Sequence, residues 1–411
     1  MQPLAGVTVL DFTRYLSGPY ATMILGDYGA DVIKVEHPET GDESRHMAPI
    51  IDGQSYSSAM PNRNKRSLAL DLKSETGRNI ARRLIAGADV VVENFRPGVM
   101  ARLGLDYEAA HDLNPEIIYC SVTGFGQTGP ESHRAGFDII AQGMTGFLRM
   151  TGTPGGEPAK FGVAINDLVA GMTAATAVLC AYIRRLREGG GQYIDVSLID
   201  AGLALTVWEA GVYFGSGVEP VAEGTRHRLN APYQAFPTSD GYVTVGANNE
   251  RLWRRFCEQV IERPDLADRP EYSRRERPAN VERLVGELSP IMAARPTAHW
   301  VTALDRAGVP GGPVLTYAEA MSQPQVAARD MVVEVDHPVL GPMRALGMPA
   351  KLSRTPATIR LPAPLLGQHS RDVLRTLGHS DAGIDELIAT GVVTETPIPE
   401  NTPDDRAKES T

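Results

Sequence analysis

The feature that most constrains the fold of this chain is the alternation, over its first half, of short β-branched runs with helical patterns. Such alternation is typical of a parallel sheet whose strands are joined by crossover helices. The strand-like runs are VTVLDF, VIKVE, DVVVENF, EIIYCSVTGFG and QYIDVS, and the segments with helical patterns include ATMILGDYGA and SETGRNIARRLIAGA. We therefore predict an α/β protein with a Rossmann-like, doubly wound large domain.

The length of 411 residues exceeds the size at which a single hydrophobic core usually stops growing. From residue 224 the alternation gives way to loops, a hairpin-like DGYVTVGA and helical segments rich in Arg and Glu. We predict the first part of the large domain over residues 1–223, a smaller α+β domain over 224–325 and a return to the large domain over 326–392. The polar residues 393–411 are predicted to be a disordered tail.

Composition and charge exclude several classes of protein. A formal net charge of -10 argues against a nucleic-acid partner, which would need a clustered basic surface. The cysteines Cys120, Cys180 and Cys257 form no C-x-x-C pair, so we expect them to be reduced.

The start of the chain does not have the pattern of a secretory signal, and LVAGMTAATAVLCAYI, in a helix predicted at about Leu168 to Arg187, is typical of a buried helix and not of a membrane span. We expect a cytoplasmic protein with no membrane partner.

In open α/β sheets, ligands bind beyond the carboxyl ends of the strands, so the residues that follow each predicted strand are candidates for a site. These are Ser17 to Gly18, Glu36 to His37, Asn94 to Arg96 and Gly124 to Gly126. The first strand is not followed by G-x-G-x-x-G, and the chain has no H-E-x-x-H, G-x-S-x-G or P-loop motif. A nicotinamide or flavin cofactor is therefore not supported, and no metal site is predicted.

Asp167 is a single carboxylate at the start of a predicted apolar helix, in FGVAINDLVAGMTAATAVL. It could serve as a helix N-cap, which is the usual role of Asp in this position. Alternatively, Asn166 is the cap and Asp167 is a free nucleophile, kept ionised by the helix N-terminus and able to attack an activated acyl group. The local pattern leaves both interpretations open.

Basic residues and histidines near predicted strand ends or loops give a weaker signal. Taken alone, each basic residue is expected to be a solvated surface charge, but several of them at one sheet edge could bind a phosphate. The basic residues are Lys65, Arg66, Lys73, Arg96, Arg102 and Arg134, and the histidines His37, His46, His133 and His227 are expected at the surface.

A series of ordered blocks over nearly the whole chain resembles the class III CoA-transferases, which include formyl-CoA:oxalate CoA-transferase and carnitine CoA-transferase. The blocks are VLDFTRYLSGPYATMILGDYGADVIKVEHPETGD, NRNKRSLALDLKSETG, VVENFRPGVMARLGLDY, SVTGFGQTGP, INDLVAG, GGGQYIDVSLIDA, AGVPGGPV and PLLGQHSRDVLRTLG.

The resemblance implies that Asp167 is the nucleophile and that the substrates are an acyl-CoA and a carboxylic acid acceptor, with no metal or redox cofactor. It implies a homodimer of two interlocked chains, in which a Rossmann-like large domain carries the coenzyme A site. The residues it places at coenzyme A are Leu16, Ser17, His37, Leu70, Asp71, Leu72, Lys73, Asn94, Phe95, Arg96, Arg102, Arg134, Ala135, Gly136 and Phe137.

Several positions depart from the formyl-CoA enzymes. Leu16 stands where they have glutamine, His37 where they have arginine and Ala135 where they have lysine. Their four-glycine loop has no counterpart, because Arg226 to Tyr242 occupies the corresponding region. The resemblance therefore identifies neither the donor nor the acceptor acid.

Two other functions fit a chain of this kind. The related α-methylacyl-CoA racemases resemble this sequence around RAGFDIIAQ, but they carry a catalytic histidine at the position of Phe137. A phenyl ring cannot transfer a proton, so transfer is preferred over racemisation. A non-catalytic CoA-binding protein is the third alternative.

Overall fold

The computed structural model describes residues 1–399, which contain fourteen strands and eighteen α-helices. The strands are β1 Thr8–Asp11, β2 Asp31–Glu36, β3 Ile50–Ile51, β4 Gln54–Ser55, β5 Lys65–Leu70, β6 Val90–Glu93, β7 Ile118–Thr123, β8 Gln192–Ser197, β9 Tyr233–Pro237, β10 Tyr242–Gly246, β11 Gly311–Pro313, β12 Val332–His337, β13 Gly341–Leu346 and β14 Val393–Thr394.

The helices range from single turns to one of 24 residues. They are α1 Ser17–Asp27, α2 Tyr56–Ala59, α3 Glu75–Ala86, α4 Val99–Leu103, α5 Tyr107–Leu113, α6 Asp138–Met144, α7 Phe147–Met150, α8 Ile165–Glu188, α9 Leu198–Leu205, α10 Val207–Ser216, α11 Glu250–Arg255, α12 Pro264–Ala267, α13 Val281–Ala293, α14 Thr297–Ala307, α15 Tyr317–Met321, α16 Pro324–Ala328, α17 Ser370–Thr376 and α18 Asp381–Ala389.

The central element is a seven-stranded sheet in the order β14-β5-β2-β1-β6-β7-β8. Its last six strands are parallel, and β14 pairs antiparallel with β5 at the edge. Counted along the chain, the parallel strands follow the order 3-2-1-4-5-6 of the doubly wound dinucleotide-binding folds. The predicted parallel α/β sheet is confirmed, and its direction of winding reverses between β1 and β6, where such sheets open a crevice.

Each face of this sheet has its own apolar core, because successive residues of a strand point to opposite faces. On one face, Val9, Val92 and Cys120 pack with α1, α8 and α9. On the other, Leu10, Val91 and Tyr119 pack with α3, α17 and α18. Within the described residues, α8 is the one helix long and apolar enough to cross a membrane, but four of its five alanines are buried in the first core.

The described residues form two compact units, whose boundaries differ from the predicted ones. The first unit comprises residues 1–145, 161–215 and those from Ala327 onwards, and the second comprises 146–160 and 216–326. The second unit therefore begins eight residues before the predicted 224 and includes a segment that we had placed in the large domain. It has its own three-stranded antiparallel sheet, β11-β10-β9, which contains the predicted hairpin, and its own core around Trp253 and Phe256.

The end of the described chain also differs from the prediction. β14 pairs with Ala69 and Leu70 of β5, and Val393 is buried, so the predicted tail cannot begin at residue 393. The two valines of GVVTETP supply the apolar anchor, and the rest of the tail from residue 400 lies outside the described residues. The strand-like runs near residue 340 form the separate hairpin β12–β13 instead of joining the large sheet.

Candidate active site

A cleft of about 350 Å³ lies at the carboxyl ends of β1, β6 and β7, where the strand order reverses. The loops after these three strands form most of its wall, and the start of α8 completes it. Its lining residues are Arg14, Tyr15, Leu16, Ser17, Glu43, Asn94, Phe95, Arg96, Pro97, Val122, Thr123, Gly124, Arg134, Ala135, Gly136, Phe137, Asp167 and Leu198.

Asp167 is the third residue of α8, which begins three residues earlier than predicted, and its half-buried side chain lines the cleft. No hydrogen-bond donor among residues 1–399 contacts its carboxylate. Burial, together with the nearby negative charge of Asp138, raises the pKa of Asp167 to about 7. Burial and Asp138 thus oppose the stabilisation of the ionised form that a helix N-terminus provides.

The first turn of α8 is capped from another helix, and neither Asp167 nor Asn166, the two caps that the sequence left open, has that role. Ala164 is the N-cap residue and makes no side-chain cap. Instead, Asp138 of α6 accepts a hydrogen bond at Oδ1 from the backbone N–H of Asn166, at 2.9 Å. The buried Asn166 side chain donates from Nδ2 to the carbonyl oxygen of Leu198, at 3.0 Å. Asp138 thus orients the start of α8 and also sets the electrostatic environment of Asp167.

Glycine at three positions lets the walls of the cleft approach one another. A Cβ atom on Gly171 of α8 would lie 2.6 Å from the carbonyl oxygen of Ser17, so α8 and the start of α1 are in backbone contact there. Gly124 and Gly136 face each other, and a Cβ on either would lie 2.6 Å from the Cα of the other. The loop after β7 and the segment before α6 therefore meet without intervening side chains.

The amide of Asn94 joins the two loops on either side of the strand reversal. Its Oδ1 accepts from the backbone N–H of Arg14, and its Nδ2 donates to the carbonyl oxygen of Arg14, both at 2.8 Å. These two bonds fix the loop between β1 and α1, in which Tyr15 adopts a left-handed φ of 63°. The Asn94 side chain therefore contributes to the cleft by holding its wall.

Ten of the predicted site residues come together in this cleft. They are Leu16, Ser17, Asn94, Phe95, Arg96, Arg134, Ala135, Gly136, Phe137 and Asp167.

The other predicted residues follow the same edge of the sheet but do not line the cleft. The imidazole Nδ1 of His37 accepts from the backbone N–H groups of Glu39 and Thr40 within a turn. Leu70, Asp71, Leu72 and Lys73 lie at the end of β5 and in the loop that follows, and Arg102 lies in α4.

The predicted cations divide into paired and unpaired groups. Arg134 forms an ion pair with Glu131, and its guanidinium lies 5.0 Å from the centre of the Phe125 ring. Lys73, Arg96 and Arg102 are exposed, and none of them has an ion-pair partner among residues 1–399. Three positive charges at the carboxyl edge of the sheet are thus available to a ligand.

Several residues at this site were not predicted from the sequence. Arg14 forms an ion pair with Glu43 at 2.7 Å, and its guanidinium lies 4.8 Å from the centre of the Phe95 ring. The rule that ligands bind beyond strand ends could have identified Arg14, which follows β1 closely. Asp138 and Leu198 stand within RAGFDIIAQ and GGGQYIDVSLIDA, but neither motif indicated that α6 and α9 bring these residues to the site of Asp167.

Comparison with known proteins places this arrangement in a family. The profile of CoA-transferase family III matches residues 4–370. The chain belongs to CoA-transferase family III. It is 40% identical to the succinyl-CoA:glutarate CoA-transferase of Mus musculus, with 96% of this chain and 91% of the relative covered. The succinate--glutarate CoA-transferase of Agrobacterium fabrum is 39% identical, with 91% and 96% covered. This chain is accordingly a class III CoA-transferase.

A solved structure gives the same result for the fold. The crystal structure of a CAIB/BAIF family protein from Brucella suis is 37% identical, with a TM-score of 0.82 over 92% of this chain and 99% of that one.

Proposed function

We propose that this class III CoA-transferase exchanges CoA between carboxylic acids by covalent catalysis on Asp167. The observation that carries the proposal is the position of the Asp167 carboxylate, which lines the cleft at the strand reversal and has no hydrogen-bond donor among the described residues. A carboxylate in this setting is free to attack an acyl carbon.

In the first half of the reaction, a carboxylate oxygen of Asp167 attacks the carbonyl carbon of the donor acyl-CoA. The C–S bond breaks, CoA leaves as a thiolate, and a mixed acyl-aspartyl anhydride remains. The thiolate then attacks the aspartyl carbonyl carbon, the donor acid departs as a carboxylate, and Asp167 carries CoA as a thioester.

In the second half, the acceptor carboxylate attacks the aspartyl thioester carbon and displaces the CoA thiolate, which gives a second anhydride. The thiolate captures the acceptor acyl group and releases the Asp167 carboxylate. No proton is consumed in the cycle. Negative charge develops on carbonyl oxygens next to the N-terminus of α8, whose positive dipole end stabilises such charge.

Coenzyme A is proposed to bind across the carboxyl edge of the large sheet. Lys73, Arg96 and Arg102 supply unpaired positive charge for its phosphates, and charge-assisted bonds to phosphate are strong. The aromatic rings of Tyr15 and Phe137 meet edge to face at the cleft, with centroids 6.4 Å apart, and offer apolar surface to the pantetheine arm. The remaining predicted contacts, including His37 and Leu70 to Leu72, belong to the same proposal.

Dicarboxylic acids are the first substrates to test. Relatives named as succinyl-CoA:glutarate CoA-transferases come from Mus musculus and Homo sapiens, and one named as a succinyl-CoA:mesaconate CoA-transferase comes from Haloarcula marismortui. We propose succinyl-CoA as a donor and glutarate as an acceptor. The isomerase alternative gains no support, because the ring of Phe137 has no group that could exchange a proton.

A homodimer is proposed from an apolar surface on the first unit. The ten-residue helix α10 has no buried residue, although four large apolar side chains lie along it. These are Val207, Trp208, Tyr213 and Phe214, which are between 48% and 82% exposed. Large apolar side chains left uncovered on a protein surface mark interaction sites, so a second copy of the chain is the proposed partner. The family resemblance adds the expectation that the two chains interlock.

Trapping of the covalent intermediate tests the mechanism. When wild-type protein is incubated with succinyl-CoA and no acceptor, one peptide containing Asp167 should gain CoA or an acyl group that hydroxylamine removes. Asp167→Asn should abolish both the adduct and the transfer to glutarate while leaving the circular dichroism spectrum unchanged. The matched variant Asp200→Asn, in the first turn of α9, should still form the adduct. Substantial turnover by Asp167→Asn would refute the proposed role.

A further inference from the structure

The loop between β1 and α1 carries Leu16 and Ser17 to the cleft, yet its conformation is unfavourable on its own. Tyr15 lies in the left-handed region at a φ of 63°, where bulky residues are rarely found. Such a conformation persists only when the surrounding structure holds it. The groups that hold this loop are therefore candidates for a role in ligand binding.

Side chains from outside the loop bond to its backbone at three successive residues. Asn94 holds both backbone polar groups of Arg14, as described above. Lys34 of β2 donates from Nζ to the carbonyl oxygen of Thr13 at 2.7 Å. Asp42 accepts at Oδ1 from the backbone N–H of Tyr15 at 3.1 Å.

Lys34 and Asp42 are also partners of each other. The Lys34 Nζ and Asp42 Oδ2 atoms are 2.9 Å apart, and the side chains are 0% and 1% exposed. Burial alone would raise the pKa of Asp42, but Lys34 and the backbone N–H groups outweigh burial and hold that pKa below its ordinary value. Neither residue lines the cleft, so neither can act by touching a ligand there.

We infer that the buried Lys34–Asp42 ion pair is a positioning device for CoA binding, which holds the Thr13–Tyr15 backbone so that Leu16 and Ser17 face the cleft beside Asp167. The inference rests on the proposed CoA site. A buried ion pair contributes little net stability compared with apolar residues of similar size, so its value here lies in fixing one loop conformation. Leu16 and Ser17 depend on this conformation because they follow Tyr15 directly.

The test neutralises both partners, so that neither is left as an unpaired buried charge. Lys34→Met/Asp42→Asn should weaken the binding of CoA about tenfold or more, because small misplacements of binding groups are costly. The affinity is measured by calorimetry with CoA itself, and hydrogen exchange followed by mass spectrometry should show faster exchange in the peptide that contains residues 13–16. Asp42→Asn alone retains an acceptor for the Tyr15 N–H and should weaken binding less.

A second buried ion pair of the same unit provides the matched control. Arg63 and Asp27 pair at 2.7 Å with side chains 7% and 6% exposed, and Asp27 lies at the opposite end of α1 from the loop. Arg63→Met/Asp27→Asn should lower the melting temperature but change the CoA affinity and the exchange of the loop less than twofold. The same melting loss in the Lys34–Asp42 variant, with CoA affinity and loop exchange unchanged, would overturn the inference.

These readouts are independent of the chemical steps. If the wild type binds CoA but transfers nothing, the proposed function fails, while the affinities of the variants still decide whether the ion pair positions the loop. If the protein is active and only the pair variant loses affinity, both proposals are supported.

Discussion

At the residue scale, the proposal that Asp167 is the nucleophile makes the reaction rate depend on the pKa of Asp167. Only the ionised carboxylate attacks a thioester, and burial together with Asp138 raises the pKa of Asp167 to about 7. We expect kcat/KM to rise with pH up to about 7 and then to level off, with a fall of about tenfold per pH unit well below the inflection. Stopped assays with succinyl-CoA across a range of pH measure this profile.

Asp138→Asn provides the matched variant for this prediction. The asparagine oxygen can still accept from the backbone N–H of Asn166, but the negative charge that disfavours ionisation of Asp167 is gone. The inflection should therefore move to lower pH. Glu131→Gln, which removes a carboxylate that is not among the groups shifting Asp167, should leave the inflection in place. A profile that stays the same in Asp138→Asn would show that Asp138 does not influence the nucleophile.

The sequence identified some of these residues and could not identify others. Asp167 and Leu16 were recognisable because they stand within motifs that resemble a family, and Ser17 and Asn94 follow predicted strands. Asp138 acts on a helix that begins 27 residues later in the chain, and local patterns carry no information about such a contact. Likewise, the sequence does not distinguish Lys34 and Asp42 from ordinary surface charges, and only the fold shows that they are buried together.

At the scale of elements, the strands that contain β-branched residues were predictable, and β5, whose sequence KRSLAL has none, was not. β5 begins with Lys65 and Arg66, and charged residues are expected outside a sheet. The structure resolves this conflict by burying Lys65 against Asp11, with 2.9 Å between Nζ and Oδ2. β14 is two residues long, too short to give a periodic signal. Both strands were thus missed for identifiable reasons.

The contact between α1 and α8 gives a prediction at this scale. In Gly171→Ala the new Cβ would meet the carbonyl oxygen of Ser17, a backbone atom that cannot turn away. The two helices must separate, and we expect a loss of about 1 to 3 kcal/mol of unfolding free energy together with weaker CoA binding. Urea denaturation and calorimetry measure the two effects. Gly286→Ala in α13, where the added Cβ meets nothing within 4 Å, should keep both properties or gain slight stability.

At the scale of the whole molecule, the change of sequence pattern along the chain predicts two units but does not indicate which residues belong to each. The second unit includes residues 146–160, which are separated in the chain from the rest of that unit by residues 161–215. A change in composition can mark the point where the chain passes from one unit to the next. It does not indicate that a separate, earlier segment packs into the second unit. A Gly- and Pro-rich connector precedes residue 326, where the sequence predicts the return, and the first compact unit resumes at Ala327.

The exposed helix α10 gives the prediction that concerns the assembly. If a second copy covers Trp208 and Phe214, sedimentation velocity of the wild type should show a dimer, and burying a charge in that interface should break it. We expect Trp208→Glu/Phe214→Glu to sediment as a folded monomer. Leu113→Glu, at a residue of α5 that is 43% exposed, should remain dimeric. A wild type that is monomeric at micromolar concentration, or a double variant that still dimerises, would contradict the assignment of α10 to the interface.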